Sequence, residues 1–176
     1  MSTTLLTFRA ATLADAPAIV ALVESAYRGD SGRRGWTTES DLLEGNRTNK
    51  REVAALIAAP DNRVILAHRD GSLIGCSHIK KKGGSCYFGM FAVNPELQGG
   101  GVGKQMIHEA ERIAREEYRC GQMEMTVISV RAELIAWYER RGYRRTGNIR
   151  PFPPGNGCAG FAKKIELHFE VLVKPL

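Results

Sequence analysis

The chain has 176 residues, 43% of them hydrophobic and 25% charged, with a formal net charge of +6. That length suits one domain over residues 1–176, with a core able to fold without disulfides or metals. No apolar run of about eighteen residues is present to span a bilayer, Arg9 and Asp15 interrupt the apolar stretch a signal peptide needs, and Cys76, Cys86, Cys120 and Cys158 show neither C-x-x-C spacing nor a paired histidine.

A cytoplasmic chain with free thiols is therefore expected, and Cys76 and Cys86, in strand-like stretches, read as core. The positive charge suits an anionic partner. Nucleic acid, a membrane surface and a polyphosphate cofactor all qualify, and charge alone does not choose among them.

In chain order, Leu5 to Phe8 is apolar and ends in Arg9, which predicts a first strand. Thr12-Leu-Ala-Asp15 is a capping-box signal, and Pro17 is tolerated in a first helical turn. Ile19, Val20, Val23, Ala26 and Tyr27 then recur at helical spacing. Gly29 to Gly35 predicts a loop, and a short helical piece follows around Asp41 to Leu43. Asn49-x-x-Glu52 caps a further helix carrying Val53, Leu56 and Ile57, which stops at Pro60.

Val64 to Ala67 and Leu73 to Ile79 read as strands joined by the turn Arg69-Asp70-Gly71-Ser72. Lys80-Lys81-Lys82-Gly83-Gly84 reads as a second turn and Ser85 to Val93 as a third strand, completing an antiparallel meander that Asn94-Pro95 ends. Apolar residues at 102, 106, 110, 113, 114 and 118 mark one face of a long helix over Val102 to Tyr118. Met123 to Ser129 is strand-like. Leu134, Ile135 and Tyr138 share a face of another helix, closed by Gly142. Arg150 to Gly160 reads as a loop and Ile165 to Val173 as a last strand. No repeat or low-complexity segment interrupts this order. The fold class is α/β (α+β), a mixed and mostly antiparallel sheet of about seven strands with helices on both faces.

The most informative stretch is Gln98-Gly99-Gly100-Gly101-Val102-Gly103-Lys104, between a strand and the long helix. Glycines there let the backbone approach an anion, and the free N–H groups and dipole of the helix start favour negative charge at the same spot. The spacing discriminates among pyrophosphate binders. A Walker-type loop fails because Gln98 stands at its first glycine and Gln105 at its Ser/Thr. The dinucleotide fingerprint fails because Lys104 stands at its last glycine.

What fits is [QR]-x-x-G-x-[GA], met by Gln98, Gly101 and Gly103. Here the chain resembles the GNAT superfamily of N-acetyltransferases. Met90-Phe-Ala-Val-Asn-Pro resembles that superfamily's strand and turn leading into the loop. Ala136-Trp-Tyr-Glu-Arg-Arg-Gly-Tyr143 resembles its second signature, a tyrosine four residues before a glycine. The two signatures span roughly residues 86 to 145.

The resemblance implies that acetyl-CoA lies where two neighbouring strands, Cys86 to Val93 and Met123 to Ser129, splay apart. Backbone groups of Phe91, Ala92 and Val93 would pair with the pantetheine arm. Those of Gln98, Gly99, Gly100, Gly101, Val102, Gly103 and Lys104 would hold the pyrophosphate, and a backbone N–H near Phe91 would meet the reacting oxygen. Tyr138, matching the superfamily's tyrosine, is the candidate general acid for the leaving sulfur; the competing reading is a core tyrosine beside Leu134 and Ile135. Ser129 joins the cofactor-binding set. Arg131 stands where many relatives carry Asn, and either bonds to CoA or decorates the helix start.

No general base is assigned. The stretch from Cys86 to Val93 lacks the glutamate of certain protein-lysine acetyltransferases. For Glu124, Glu39, Asp41, Glu44 and His78 a structural explanation outweighs a catalytic one, and His108 and His168 have even less to recommend them. The acceptor is expected to be a small-molecule amine. A peptide acceptor and a non-catalytic acyl-CoA sensor are the alternatives, and Trp36, Arg33 and Arg34 lie in a loop expected to shape its entrance. Metal, nucleic acid and membrane are not expected as partners, the run Lys80 to Lys82 being short and without interleaved aromatics, and room is left for a homodimer.

Overall fold

The computed structural model describes residues 5–27, 43–44, 47–97, 100–151, 161–162 and 167–176. Its first turn is made by one carboxylate. Asp15 accepts the N–H of Thr12 at 2.8 Å and both terminal guanidinium nitrogens of Arg9 at 2.7 and 2.8 Å. The expected capping box thus links strand β1 (Thr7–Ala10) to helix α1 (Ala16–Tyr27) through a 3-10 turn, Leu13–Asp15. Asn49 caps α2 (Lys50–Ala58) as expected, its side-chain oxygen accepting the N–H of Glu52 at 3.0 Å.

The sheet is built on alternation. In β3 (Asn62–Arg69), Val64 and Leu66 enter one core while Ile65 and Ala67 enter the other. The sheet continues with β4 (Ser72–Lys82), β5 (Ser85–Val93), β6 (Gln122–Ile128), β7 (Arg144–Pro151) and β9 (His168–Pro175), in the order β1-β3-β4-β5-β6-β9-β7. Every pairing is antiparallel except β5 with β6, which flank the crossover helix α3 (Val102–Glu116). One core holds α3 and α4 (Ala132–Glu139) through Met106, Ile107, Ala110, Leu134, Ile135 and Tyr138. The other holds α1 and α2 through Ile19, Val23, Ala26 and Val53. The expected mixed seven-stranded sheet with helices on both faces is therefore present. No helix of the described residues is long and apolar enough to cross a membrane.

Three local readings are corrected. Leu43, expected in a helical piece, begins a two-residue strand β2 (Leu43–Glu44) that pairs with β8 (Phe161–Ala162); so short a stretch carries no sign of a partner so far along the chain. Asp41 lies outside the described residues. Lys80 to Lys82, expected in a turn, extend β4, pairing with Tyr87, Cys86 and Ser85. The turn is Gly83-Gly84 alone, because a backbone ladder tolerates any side chain that reaches water. Arg150, expected to open a loop, lies in β7, an edge strand with every residue exposed and hence no apolar alternation to read.

Behind the sheet, α3 carries a buried carboxylate. Glu111, 6% exposed, accepts the Tyr143 hydroxyl at 2.9 Å and the Lys174 ammonium at 3.0 Å from both oxygens. This pins α3 to the last strand and to Tyr143, the residue just before β7.

Candidate active site

The site begins with an irregularity in β5. Cys76 of β4 pairs with Ala92 and His78 with Gly89, so two residues, Met90 and Phe91, stand opposite the single Ser77. Met90 adopts φ 45°, a left-handed conformation costing a non-glycine residue about 1–2 kcal/mol. A bulge of this kind bends and twists its strand. On its other edge, β5 matches β6 only at Ser85–Gln122, Cys86–Met123 and Tyr87–Glu124. Past Tyr87 no register with β6 forms, and the two parallel strands diverge. The expected splay is present, and the bulge lies on the diverging stretch of β5.

A cavity of about 120 Å³ occupies the divergence, lined by Tyr27, Tyr87, Phe91, Thr126, Arg131 and Tyr138 among others. Tyr138 is 5% exposed and burial holds its phenol well above the usual tyrosine range, so it is protonated at neutral pH. Its ring meets Trp137 edge-on at 5.2 Å and Tyr143 at 5.8 Å. Tyr138 packs in the core beside Leu134 and Ile135, and it also borders the cleft.

The glycine turn opens α3 at the mouth of this divergence. Gly100 and Gly101 have φ 59° and 78°, and a Cβ on either would meet nothing within 4 Å. Their lack of a side chain is needed for conformation and leaves open space above the backbone. Gln105 is the first residue whose N–H bonds back into the helix, to Gly101 O at 3.0 Å. The N–H groups of Val102, Gly103 and Lys104 precede that bond, at the positive end of the helix dipole. Gly103 has a different reason to be glycine. A Cβ there would stand 3.3 Å from both Phe91 Cζ and Trp137 Cζ2, so the helix start is packed directly on the cleft wall. The Val102 side chain is 1% exposed and belongs to the core, while Lys104 reaches solvent. Gln98 and Gly99 lie outside the described residues.

The other expected contacts divide. Phe91, Ala92 and Val93 are buried at the end of β5, and the Phe91 carbonyl already accepts the Tyr27 hydroxyl. Ser129 stands just past β6, where its hydroxyl donates to the His168 carbonyl at 3.0 Å and its N–H to the same oxygen at 2.8 Å. Its proton is thus engaged in joining β6 to β9. Arg131 is the N-cap residue of α4 and lines the cleft.

Two of the base candidates, His78 and Glu124, have structural partners. The Asn62 amide donates to Pro60 O at 2.7 Å, which turns its oxygen toward His78 Nε2 at 2.6 Å, so that nitrogen carries the proton. Burial, with Lys80 nearby, pushes His78 down to about 4, leaving a neutral and weakly basic imidazole. Glu124 is ion-paired to Arg150 at 2.9 Å. Glu39, Asp41 and the Glu44 side chain, like Trp36, Arg33 and Arg34, fall outside what is described. The Cys76 and Cys86 thiols are each pushed up to about 12, chiefly by burial, so neither is a thiolate nucleophile at neutral pH.

Sequence reasoning missed Tyr27, which secures the bulge from α1, and Trp137, whose ring carries the Arg141 guanidinium at 3.5 Å and faces Phe91 at 6.0 Å. It also missed the pair Tyr87 Oη and Thr126 Oγ1, 3.2 Å apart across the cleft floor. The i,i+4 spacing of Trp137 and Arg141 was a legible signal; the Tyr27 contact had none.

The same fold recurs in known proteins. An IAA acetyltransferase of Azospirillum brasilense is 29% identical over 141 residues, 78% of this chain and 84% of that protein. The ribosomal-protein-S18-alanine N-acetyltransferase of Escherichia coli superposes with a TM-score of 0.71 at 14% identity, covering 97% of this chain and 94% of that one. A spermidine/spermine N-acetyltransferase of Vibrio cholerae superposes with a TM-score of 0.68 at 16% identity, covering 98% and 94%. The sequence profile of the Acetyltransferase (GNAT) family matches residues 23–143, from α1 through the bulged strand, the glycine turn and Tyr138 to Tyr143. This chain belongs to that family and is an acetyltransferase.

Proposed function

We propose that the protein transfers the acetyl group of acetyl-CoA to a primary amine of a small molecule, by direct attack within a ternary complex in the cytoplasm. The observation that carries this reading is the junction of two features: α3 begins with three N–H groups facing away from the helix ladder, and it rests through Gly103 on the wall of the cleft that Tyr138 borders. A diphosphate suits the first feature and a thioester arm the second. The residues fit the cosubstrate: the αL glycines leave open space, and the diverging edge of β5 lacks a strand neighbour past Tyr87.

Acetyl-CoA supplies an activated acyl carbon; the protein supplies position and proton traffic. The amine nitrogen bonds to the acyl carbon, the C–S bond breaks with its electron pair going to sulfur, and one proton leaves the nitrogen. Tyr138 donates a proton to the departing sulfur and is reprotonated from solvent. Its burial keeps that proton in place until a thiolate develops. An amine of lysine type, with a pKa of about 10.4, must lose a proton first, at a cost of roughly 4.6 kcal/mol at pH 7. Among the described residues no carboxylate lines the cleft to take it, and no base is assigned. The buried, high-pKa thiols of Cys76 and Cys86 support direct attack over a covalent acyl-enzyme.

The acceptors named for the three relatives differ widely, which leaves the fold silent on the acceptor. The cavities, of about 120 and 450 Å³, are of a size that favours a small molecule. The test is release of CoA thiol from acetyl-CoA across a panel of small amines and short peptides. Turnover with small amines is expected; turnover confined to peptides, or none with any acceptor, would contradict the reading.

A further inference from the structure

Among the described residues, α1 and α2 pack on β3, β4 and β5 of their sheet face. By register, Lys80 stands opposite Tyr87, Tyr87 beside Glu124, and Arg150 opposite Phe169. Strand alternation adds His78, Lys82 and Thr126 to the same face. A second cavity of about 450 Å³ lies there, a size usual for small-molecule sites. It shares Tyr87, Thr126 and Phe169 with the Tyr138 cleft, so the two meet across the Tyr87–Thr126 hydroxyl pair.

Its charge is one-sided. Lys80, Lys82 and Arg150 line it, and no Asp or Glu does so among the described residues. The nearby acid is Glu124, engaged by Arg150 at 2.9 Å. Lys82 sits 5.6 Å above the Tyr87 ring, and neither lysine has a carboxylate at ion-pair distance among the described residues. His78, neutral and tied to Asn62, adds no charge. Two lysines two residues apart on the same face of a strand line one cavity, where an anion would relieve the mutual repulsion of their charges.

Resting on the acetyl-transfer reading above, we infer that this basic pocket seats the acceptor, and that the acceptor is a small amine which also carries a carboxylate. Lys80 and Lys82 hold the carboxylate, and the amine points past Tyr87 and Thr126 toward the cleft. A polyamine, whose second ammonium would lie against the two lysines, is excluded by the same charges.

The experiment compares matched amines with acetyl-CoA as donor: tyrosine against tyramine, and histidine against histamine. The carboxylate member is expected to show at least about tenfold higher kcat/KM. In the doubly substituted Lys80→Gln/Lys82→Gln that ratio should collapse toward one, chiefly through KM. Lys80→Arg/Lys82→Arg should restore it. Preference for the decarboxylated member, or a ratio indifferent to the glutamine pair, would overturn the inference. Both lysines are exposed, so neither pair of substitutions threatens the fold. Acetyl-CoA binding to the wild-type protein, titrated without acceptor, separates the two readings: binding combined with the wrong preference sinks only this one, and no binding sinks both.

Discussion

The hydroxyl of Tyr27, in the last turn of α1, donates to the carbonyl oxygen of Phe91, the residue after left-handed Met90 in β5. The bond joins the helix on one face of the sheet to the strand irregularity that opens the cleft. Tyr27→Phe keeps the ring over which Arg47 lies at 5.3 Å but removes the donor. Urea denaturation should show a loss of about 1–3 kcal/mol, the cost of stranding a buried carbonyl. Unchanged stability would mean that the bulge is held by its strand neighbours alone.

Tyr138→Phe removes the proton donor while keeping the packing against Trp137 and Tyr143. A fall in kcat of about 10²-fold or more is expected, with acetyl-CoA affinity within a few fold of wild type. Because burial raises the phenol, wild-type kcat should show no alkaline limb from Tyr138 below about pH 10. A limb at lower pH that vanishes in the phenylalanine variant would contradict this placement.

His78 gives the fold a pH dependence of known sign. Its folded-state value of about 4 lies below an unfolded value of about 6.5, so the unfolded chain binds the extra proton first. Its contribution is fully present above pH 6.5 and is lost as pH falls from 6.5 to about 4, amounting to roughly 3 kcal/mol across that window. His78→Gln should flatten the stability profile over that range relative to wild type. Parallel profiles for the two proteins would place the acid sensitivity elsewhere.

Glu111→Ala would leave the Lys174 ammonium and the Tyr143 hydroxyl without their carboxylate. Breaking a buried pair from one side costs about 3–5 kcal/mol, so a large drop in thermal midpoint is expected, with kcat per folded molecule little altered. A shift smaller than that of a typical surface substitution would show that water replaces the carboxylate freely.

Much of this arrangement was legible in the sequence because it rests on short-range rules. Val64 to Ala67 alternate as a strand must, Asn49 and Asp15 announce helix starts, and Gly101 and Gly103 fall where the chain turns into α3. The two glycines looked alike in the sequence, yet only the structure separates them: Gly101 is required by its φ of 78°, Gly103 by the rings of Phe91 and Trp137. What could not be read depends on distant partners. The Met90 bulge arises from mismatch with β4, the β2–β8 pair joins segments from opposite ends of the chain, and Glu111 acquires its meaning from Lys174. Lys80 and Lys82 resemble turn residues in the sequence because lysine clusters favour water. The pocket they line exists only when β6, β7 and β9 lie beside β4 and β5.

The central claim, that the amides opening α3 clasp the diphosphate of acetyl-CoA, is tested most directly by isothermal titration of acetyl-CoA into the wild-type protein and Gly101→Glu. The glutamate enters open space and costs about 1–2 kcal/mol of backbone strain, so the fold should persist, as circular dichroism would verify. Its carboxylate would lie at the anion's seat, and a loss of affinity of about 100-fold or more is expected. Equal affinity in the two proteins would show that the cosubstrate binds elsewhere, and the account of the site would fail with it.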